Sequence, residues 1–238
     1  MKALATPQGA IRAVLVSQVV LAGAIVALDL CAAPGGAAPD LFAPPAQGPS
    51  VRPYRPDLRP AEPGAPAMRP MPERLEFSAG EEAIRIIGQI APGDADRFLS
   101  WLDGTRPIET RVSLDSSGGS VADALAIGRT IRGAGYAAEV ADGAVCLSAC
   151  PYMLAGGTER RVTAGGVVGV HQHDFGENTI LPAFMAIRDL QRSQAGVLDY
   201  LSDMGVDLRI MAMALRTPPE EITVLTPDQM QDFRLVTD

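Results

Sequence analysis

Arg111-Val112-Ser113-Leu114-Asp115-Ser116-Ser117-Gly118-Gly119-Ser120 begins as a strand and breaks at two glycines, and Val121, Leu125, Gly128 and Ile131 then recur at helical spacing. Ser120 stands where a helix N-cap is wanted, so the stretch reads as strand, glycine turn, helix. Its surroundings follow the same order. Ala83–Ile90 is short and β-branched, a strand, and Asp94–Leu102 follows as a helix with Phe98, Leu99 and Leu102 inward. Downstream, Ala137–Val145 supplies strand material, Ser148–Leu154 a helix start that tolerates Pro151 in its first turn, and Val167–His171 a further strand. A long amphipathic helix comes next, with Ile187, Leu190, Val197, Leu201 and Met204 on one side. Strands alternating with helices of these lengths predict an α/β domain with a mostly parallel sheet whose strand ends carry the functional site.

Two of those ends hold Ser148 and His171, 23 residues apart, and the glycine turn precedes both. A serine hydroxyl becomes a useful nucleophile when a positioned base takes its proton and fixed donors meet the developing oxyanion. The chain has two histidines, His171 and His173, and its single lysine is Lys2 near the start, so a lysine base is excluded from the folded part. His171 is the candidate base, with His173 its neighbour, and the N–H groups of Gly119 and Ala149 are the candidate oxyanion hole. Spacing alone equally allows Ser148 to be a plain N-cap and His171 a hydrogen-bonded core residue. Cys146 and Cys150 flank the serine; read as a pair they close a small disulfide that stiffens the turn, and read separately they are small buried residues. No metal site is expected, because a second cysteine pair is lacking and the histidines are too few to complete a tetrahedral set. The glycine turn also lacks the lysine and spacing of a phosphate loop, and no cofactor is expected.

The chain carries a net charge of −8 over 238 residues. From Glu73 to Asp238, 14 arginines and no lysine stand against 24 acidic residues, a formal charge of −10 that excludes a nucleic-acid partner. Lys2 and Arg12 precede an apolar run, Ala13–Leu28, which reads as a signal-peptide core or as a membrane anchor spanning residues 13–30. Small residues at Ala32, Ala33, Ala37 and Ala38 suit cleavage, prolines at 34 and 39 argue against it, and the two readings stand level. Cys31 follows Asp29 and Leu30, a poor context for a lipidation signal. Residues 34–72 hold 12 of the 20 prolines and read as an extended, disordered linker. The expected organisation is therefore 1–33 export segment, 34–72 linker and 73–238 folded domain, in an extracytoplasmic setting.

Five stretches taken together resemble the ClpP and crotonase superfamily, in particular ClpP-type serine peptidases. Ile86-Ile87-Gly88-Gln89-Ile90 resembles the family's first strand, Leu114–Ser120 its oxyanion turn, Ser148-Ala149 its nucleophile step, Val170-His171-Gln172 its histidine strand, and Leu225–Thr237 its closing pattern. The resemblance covers about two thirds of the chain and implies a spiral of repeated β-β-α units, with Ser148 as nucleophile, His171 as base, and Gly119 and Ala149 as oxyanion donors. It also implies assembly into a homo-oligomer through the long helices. Two departures stand out: Ser117 replaces the family's proline before the glycines, and Ile222 falls where the family has its triad aspartate, leaving Glu220 or Glu221 beside it as the candidate acid. The implied activity is a serine-type peptidase acting on peptides or unfolded chains. The rival is a catalytically inactive scaffold or binding module of the same fold. A crotonase-like acyl-CoA enzyme is disfavoured, since an acidic, lysine-free exported domain does not suit the phosphates of coenzyme A.

Overall fold

Ile84, Ile86 and Ile90 alternate with Arg85, Ile87 and Gln89, and this alternation makes Ile84–Ile90 a strand (β5) with one face fully inside. The computed structural model describes residues 12, 14–24, 50–59, 69–173 and 183–237. The chain divides into two compact units, Met1–Ala38 and Pro39–Asp238. In the first, residues 14–24 are helical (α1), and among the described residues no helix is long and apolar enough to cross a membrane. The candidate cleavage sites, Cys31, residues 34–49 and residues 60–68 lie outside the described residues.

The second unit is a mixed α/β domain. Its strands are β1 Ser50–Pro53, β2 Leu58–Arg59, β3 Arg69–Pro70, β4 Glu76–Ala79, β5, β6 Arg111–Gly119, β7 Ala137–Val140, β8 Val145–Leu147, β9 Arg160–Val162, β10 Val167–Val170 and β11 Glu221–Val224. Nine of them form one sheet with the main order β1-β11-β10-β8-β6-β5-β4, while β2 and β3 make a small hairpin. The pairs β5–β6, β6–β7, β6–β8, β7–β9 and β8–β10 are parallel; β4, β11 and β1 join antiparallel. The strand β6 forks, since Arg111–Ser113 pair with β7 and Ser116 pairs with Cys146 of β8. The expected single strand over 137–145 is therefore two, because its halves serve different branches.

The helices are α2 Asp94–Thr105, α3 Val121–Gly133, α4 Cys150–Ala155, α5 Ala183–Asp203, α6 Arg209–Ala214 and α7 Pro227–Asp232. Ser120 caps α3 by accepting from the Asp123 N–H, as its sequence position predicts. Thr226 and Gln229 close a reciprocal capping box on α7. Phe98 of α2, Ile127 and Ile131 of α3, Met153 and Leu154 of α4, and Val197 and Leu201 of α5 pack with the sheet's Ile84, Ile86, Val112 and Leu114 in the main core. Two expected inward residues face solvent: Leu99 is 46% and Ile187 55% exposed. Hydrophobic spacing marks a helix face but does not say how wide a stripe its neighbours cover.

A second apolar cluster joins Val145, Leu147, Val167, Ile222 and Val224 to Met71, with Tyr54 packed against it. Residues 50–59 and 69–72 thus depart from the linker reading, because β1 pairs along β11 from Ser50↔Val224 to Pro53↔Glu221 and Met71 is buried. Proline is admissible there because β1 is the outermost strand of its sheet.

Asp94 fastens the start of the domain. Its carboxylate is fully buried, accepts from the N–H groups of Leu75 and Ala91, and pairs with Arg74 at 2.9 Å and Arg97 at 2.6 Å. Burial opposes its charge, but these donors outweigh burial and hold the carboxyl below its ordinary value. The lowered value means that the stabilisation is complete above the unfolded-state pKa, about 4, and is lost as pH falls through the folded-state value. Asp94→Asn is expected to cost about 2 kcal/mol or more at pH 7, with the gap to wild type narrowing in acid; urea unfolding at pH 7 and pH 3 measures it. An equal gap at both pH values would contradict the assignment.

Candidate active site

Parallel pairing of β8 with β10 sets Leu147 opposite Gly169 and Cys146 opposite Val168, so the residues that follow each strand emerge side by side. The Ser148 N–H donates to the Gly169 carbonyl at 3.0 Å, and one residue beyond Val170 the His171 Nε2 lies 2.7 Å from the Ser148 Oγ. A separation of 23 residues in the chain becomes a hydrogen bond because one crossover brings two strand ends to the same edge of the sheet.

Ser148 is held at φ 59, in the left-handed region that a side chain avoids. It is not the cap of α4; Ala149 occupies that position. A sharp, strained turn between strand and helix that lifts a serine out of the sheet is a recognised setting for a nucleophile, and strain of this kind persists where surrounding structure holds it. Part of that hold is covalent, since Cys146 and Cys150 are joined by a disulfide that spans the turn with 5.0 Å between Cα atoms. The glycine turn presses on the other side. At Gly118, with φ 98, a Cβ would meet the Ser148 Cβ at 2.5 Å, the Leu147 carbonyl at 2.6 Å and the Ala149 nitrogen at 2.9 Å. Only glycine fits this approach, which follows from the register of Ser116 against Cys146 two residues earlier. Gly119, the expected donor, is the next residue, at φ 135 and against the backbone of Ile90.

His171 is buried, and its Nδ1 lies 2.8 Å from the carbonyl oxygen of Pro219. A carbonyl only accepts, so Nδ1 carries the proton of the neutral ring and Nε2 presents its lone pair to the serine hydroxyl. Where Glu220 or Glu221 was the candidate acid, the structure places a main-chain oxygen at Nδ1. Glu220 is exposed, Glu221 is half-buried at the start of β11, and Ile222 is fully buried in the second cluster. The turn that aims the carbonyl is stiff, because Pro218 and Pro219 fix two successive φ angles. It is tied to the histidine strand by Gln172, whose N–H donates to the Thr217 carbonyl at 3.0 Å and whose Nε2 donates to the Leu215 carbonyl at 2.8 Å. Pro218-Pro219 was legible as a rigid turn, but a main-chain acceptor leaves no residue type to search for.

His173 shares a 2.7 Å hydrogen bond with the Tyr152 hydroxyl. Burial first, then the electrostatic coupling that would arise if both it and His171 were protonated, pushes it down to about 4, so it is neutral at pH 7 and remains a neighbour of the base.

The sequence reading missed Tyr54. Its ring stands 4.5 Å from the His171 ring, centroid to centroid, and its hydroxyl donates to the Ser117 carbonyl at 2.5 Å. Burial raises the phenol to about 12, against a smaller opposing effect of the nearby Ser148 hydroxyl, so it stays protonated. The Ser117 Oγ in turn donates to the Pro56 carbonyl at 2.7 Å. Among the described residues no group of three or more histidine, cysteine or acidic side chains is placed to hold a metal ion. In comparisons with known families and curated proteins, the chain matches no family model and no curated protein.

Proposed function

We propose that this protein is a serine-type hydrolase, an extracytoplasmic ClpP-like peptidase acting on peptides or unfolded chains, with Ser148 as nucleophile and His171 as base. The observation that carries the reading is the 2.7 Å contact of the His171 Nε2 with the Ser148 Oγ at a strained strand-to-helix turn. The forked, mostly parallel sheet with helices after β5, β6 and β8 supports the finer proposal of a ClpP-like spiral, alongside the sequence stretches that resemble that family.

The chemistry follows from the tautomer. As the Ser148 Oγ bonds to the substrate carbonyl carbon, its proton passes to the His171 Nε2, and the imidazolium is held through Nδ1–H by the Pro219 carbonyl. The carbonyl oxygen takes the negative charge and is met by the N–H groups of Gly119 and Ala149. When the C–N bond breaks, the amine leaves with the proton from Nε2, and water repeats the sequence to release the acid and restore the serine. A carbonyl stabilises an imidazolium less than a carboxylate does, so turnover is expected to be lower than in a full triad.

An alkyl fluorophosphonate probe is expected to label the folded full-length protein at Ser148, with Ser148→Ala abolishing the label in mass spectrometry. A folded wild type and a folded Tyr54→Ala variant that both remain unlabelled would favour the inactive scaffold.

A further inference from the structure

Residues 50–57 cross the site that the preceding reading assigns to catalysis. The strand β1 lies on the outer edge of β11, antiparallel to it, and therefore runs in the same direction as β10 toward His171. Its pairing continues with the Tyr54 N–H donating to the Glu220 carbonyl at 2.9 Å, one residue beyond the carbonyl that orients the base. The Tyr54 ring then covers His171, its hydroxyl donates to the Ser117 carbonyl, and the Pro56 carbonyl takes the Ser117 hydroxyl. The path therefore passes from β11 over the ends of β10 and β8 to that of β6, the line a substrate must occupy to set a carbonyl between Ser148 and the glycine turn.

The segment uses the kind of bonding that suits an extended peptide: main-chain pairing to a strand edge, one large side chain packed against the base, and a main-chain carbonyl offered to the glycine turn. We infer that the outer edge of β11 is the peptide-binding strand of this protein, that extended peptides bind there antiparallel to Glu221–Val224, and that residues 50–57 are a built-in competitor for the same groove. The inference rests on the hydrolase reading for its catalytic consequence, but not for the binding itself. Ser117 acquires a purpose here, because a proline in its place would have no hydroxyl for Pro56. A docked strap scales apparent affinity and acylation rate down to the fraction of molecules in which it is displaced.

The test compares full-length wild type, Tyr54→Ala, Tyr54→Phe and Ser117→Ala, each checked by thermal unfolding. Tyr54→Ala is expected to raise the second-order rate of fluorophosphonate labelling about tenfold or more. Tyr54→Phe and Ser117→Ala each remove one neutral hydrogen bond from the strap and are expected to raise it about fivefold. In parallel, a fluorescein-labelled peptide of residues 50–57 is titrated onto Ser148→Ala and onto the Ser148→Ala, Tyr54→Ala double variant. The double variant is expected to bind about tenfold tighter by anisotropy. If neither wild type nor Tyr54→Ala is labelled while the peptide affinity shifts as expected, the groove stands and the hydrolase reading falls. Equal peptide affinity in the two backgrounds overturns the inference. So does unchanged or slower labelling in folded Tyr54→Ala, since slower labelling would make Tyr54 a positioning residue for the dyad. Should Tyr54→Ala fail to fold, unchanged labelling in both Tyr54→Phe and Ser117→Ala overturns it equally.

Discussion

His171→Ala is expected to slow acylation of Ser148 on the order of 10⁴-fold, while Glu220→Gln and Glu221→Gln change it by no more than about twofold. The large loss follows from the geometry at Nε2, the sole imidazole nitrogen in hydrogen-bond contact with the serine among the described residues. His173 does not take over, because it is neutral, half-buried and engaged with Tyr152. The small effect of the glutamates follows from Nδ1, which meets the Pro219 carbonyl, a main-chain group that neither glutamate substitution removes. Labelling rates at pH 7 with equal unfolding temperatures provide the comparison. A 10³-fold loss in Glu221→Gln would show that a carboxylate orients the base during turnover and would overturn the carbonyl assignment.

Residue type explains which parts of this site could be read in advance. Ser148, His171 and the glycine turn are chemically distinctive, and their strands announce themselves by β-branched runs that end at the same edge. Cys146 and Cys150 were legible as a pair, although only the turn geometry decides between a bridge and two packed thiols. Pro219 was not legible as a functional residue, since the atom that acts belongs to the backbone and any residue at that place would supply it. Ser117 was noticed as a departure from a family pattern, yet its use became visible only with Pro56 opposite it.

The region of residues 50–72 shows why composition misled. Twelve prolines in 39 residues argue against a folded segment on average, but folding here depends on a few positions. Ser50–Pro53 needs only one partner because it is an edge strand, and Met71 and Tyr54 supply apolar contacts with the sheet. The fork in β6 was invisible for a related reason. Ala137–Val145 has the length and apolar content of one strand, and only the competition of β7 and β8 for different halves of β6 divides it.

Arg160→Ala is expected to be the most destabilising single substitution outside the site, about 3–5 kcal/mol, which for a domain of this size lowers the unfolding temperature by roughly 10 °C. Arg160 is 5% exposed, and its guanidinium is bound entirely by main-chain oxygens: Nε donates to Leu235 at 3.0 Å, one terminal nitrogen to Met204 at 3.0 Å and Ala155 at 3.3 Å, and the other to Arg234 at 2.8 Å. Burial and the nearby charge of Arg132 lower its pKa, so the folded state bears a cost for keeping it charged. The carbonyl dipoles offset that cost, and they come from three separate regions: the end of α4, the loop after α5 and the C-terminal tail. The tail is further tied by the Thr237 Oγ1, which accepts from the Arg160 N–H at 2.8 Å. Alanine would take this donor from the carbonyls of Leu235, Met204 and Arg234, while the Ala155 carbonyl keeps Arg132 at 3.1 Å, and would leave a cavity among Leu235, Met204 and Ala155. Arg160→Lys retains the charge but replaces a planar fork by a single nitrogen, which cannot reach four acceptors, so it should recover less than half of the loss. Arg160→Met tests whether charge or hydrogen bonding matters more, because methionine fills much of the volume with neither. Urea unfolding of the three variants should rank wild type above lysine, lysine above methionine, and methionine above alanine. A methionine variant as stable as wild type would mean that the network contributes nothing net and that the tail is held by Leu235 and Phe233 packing alone.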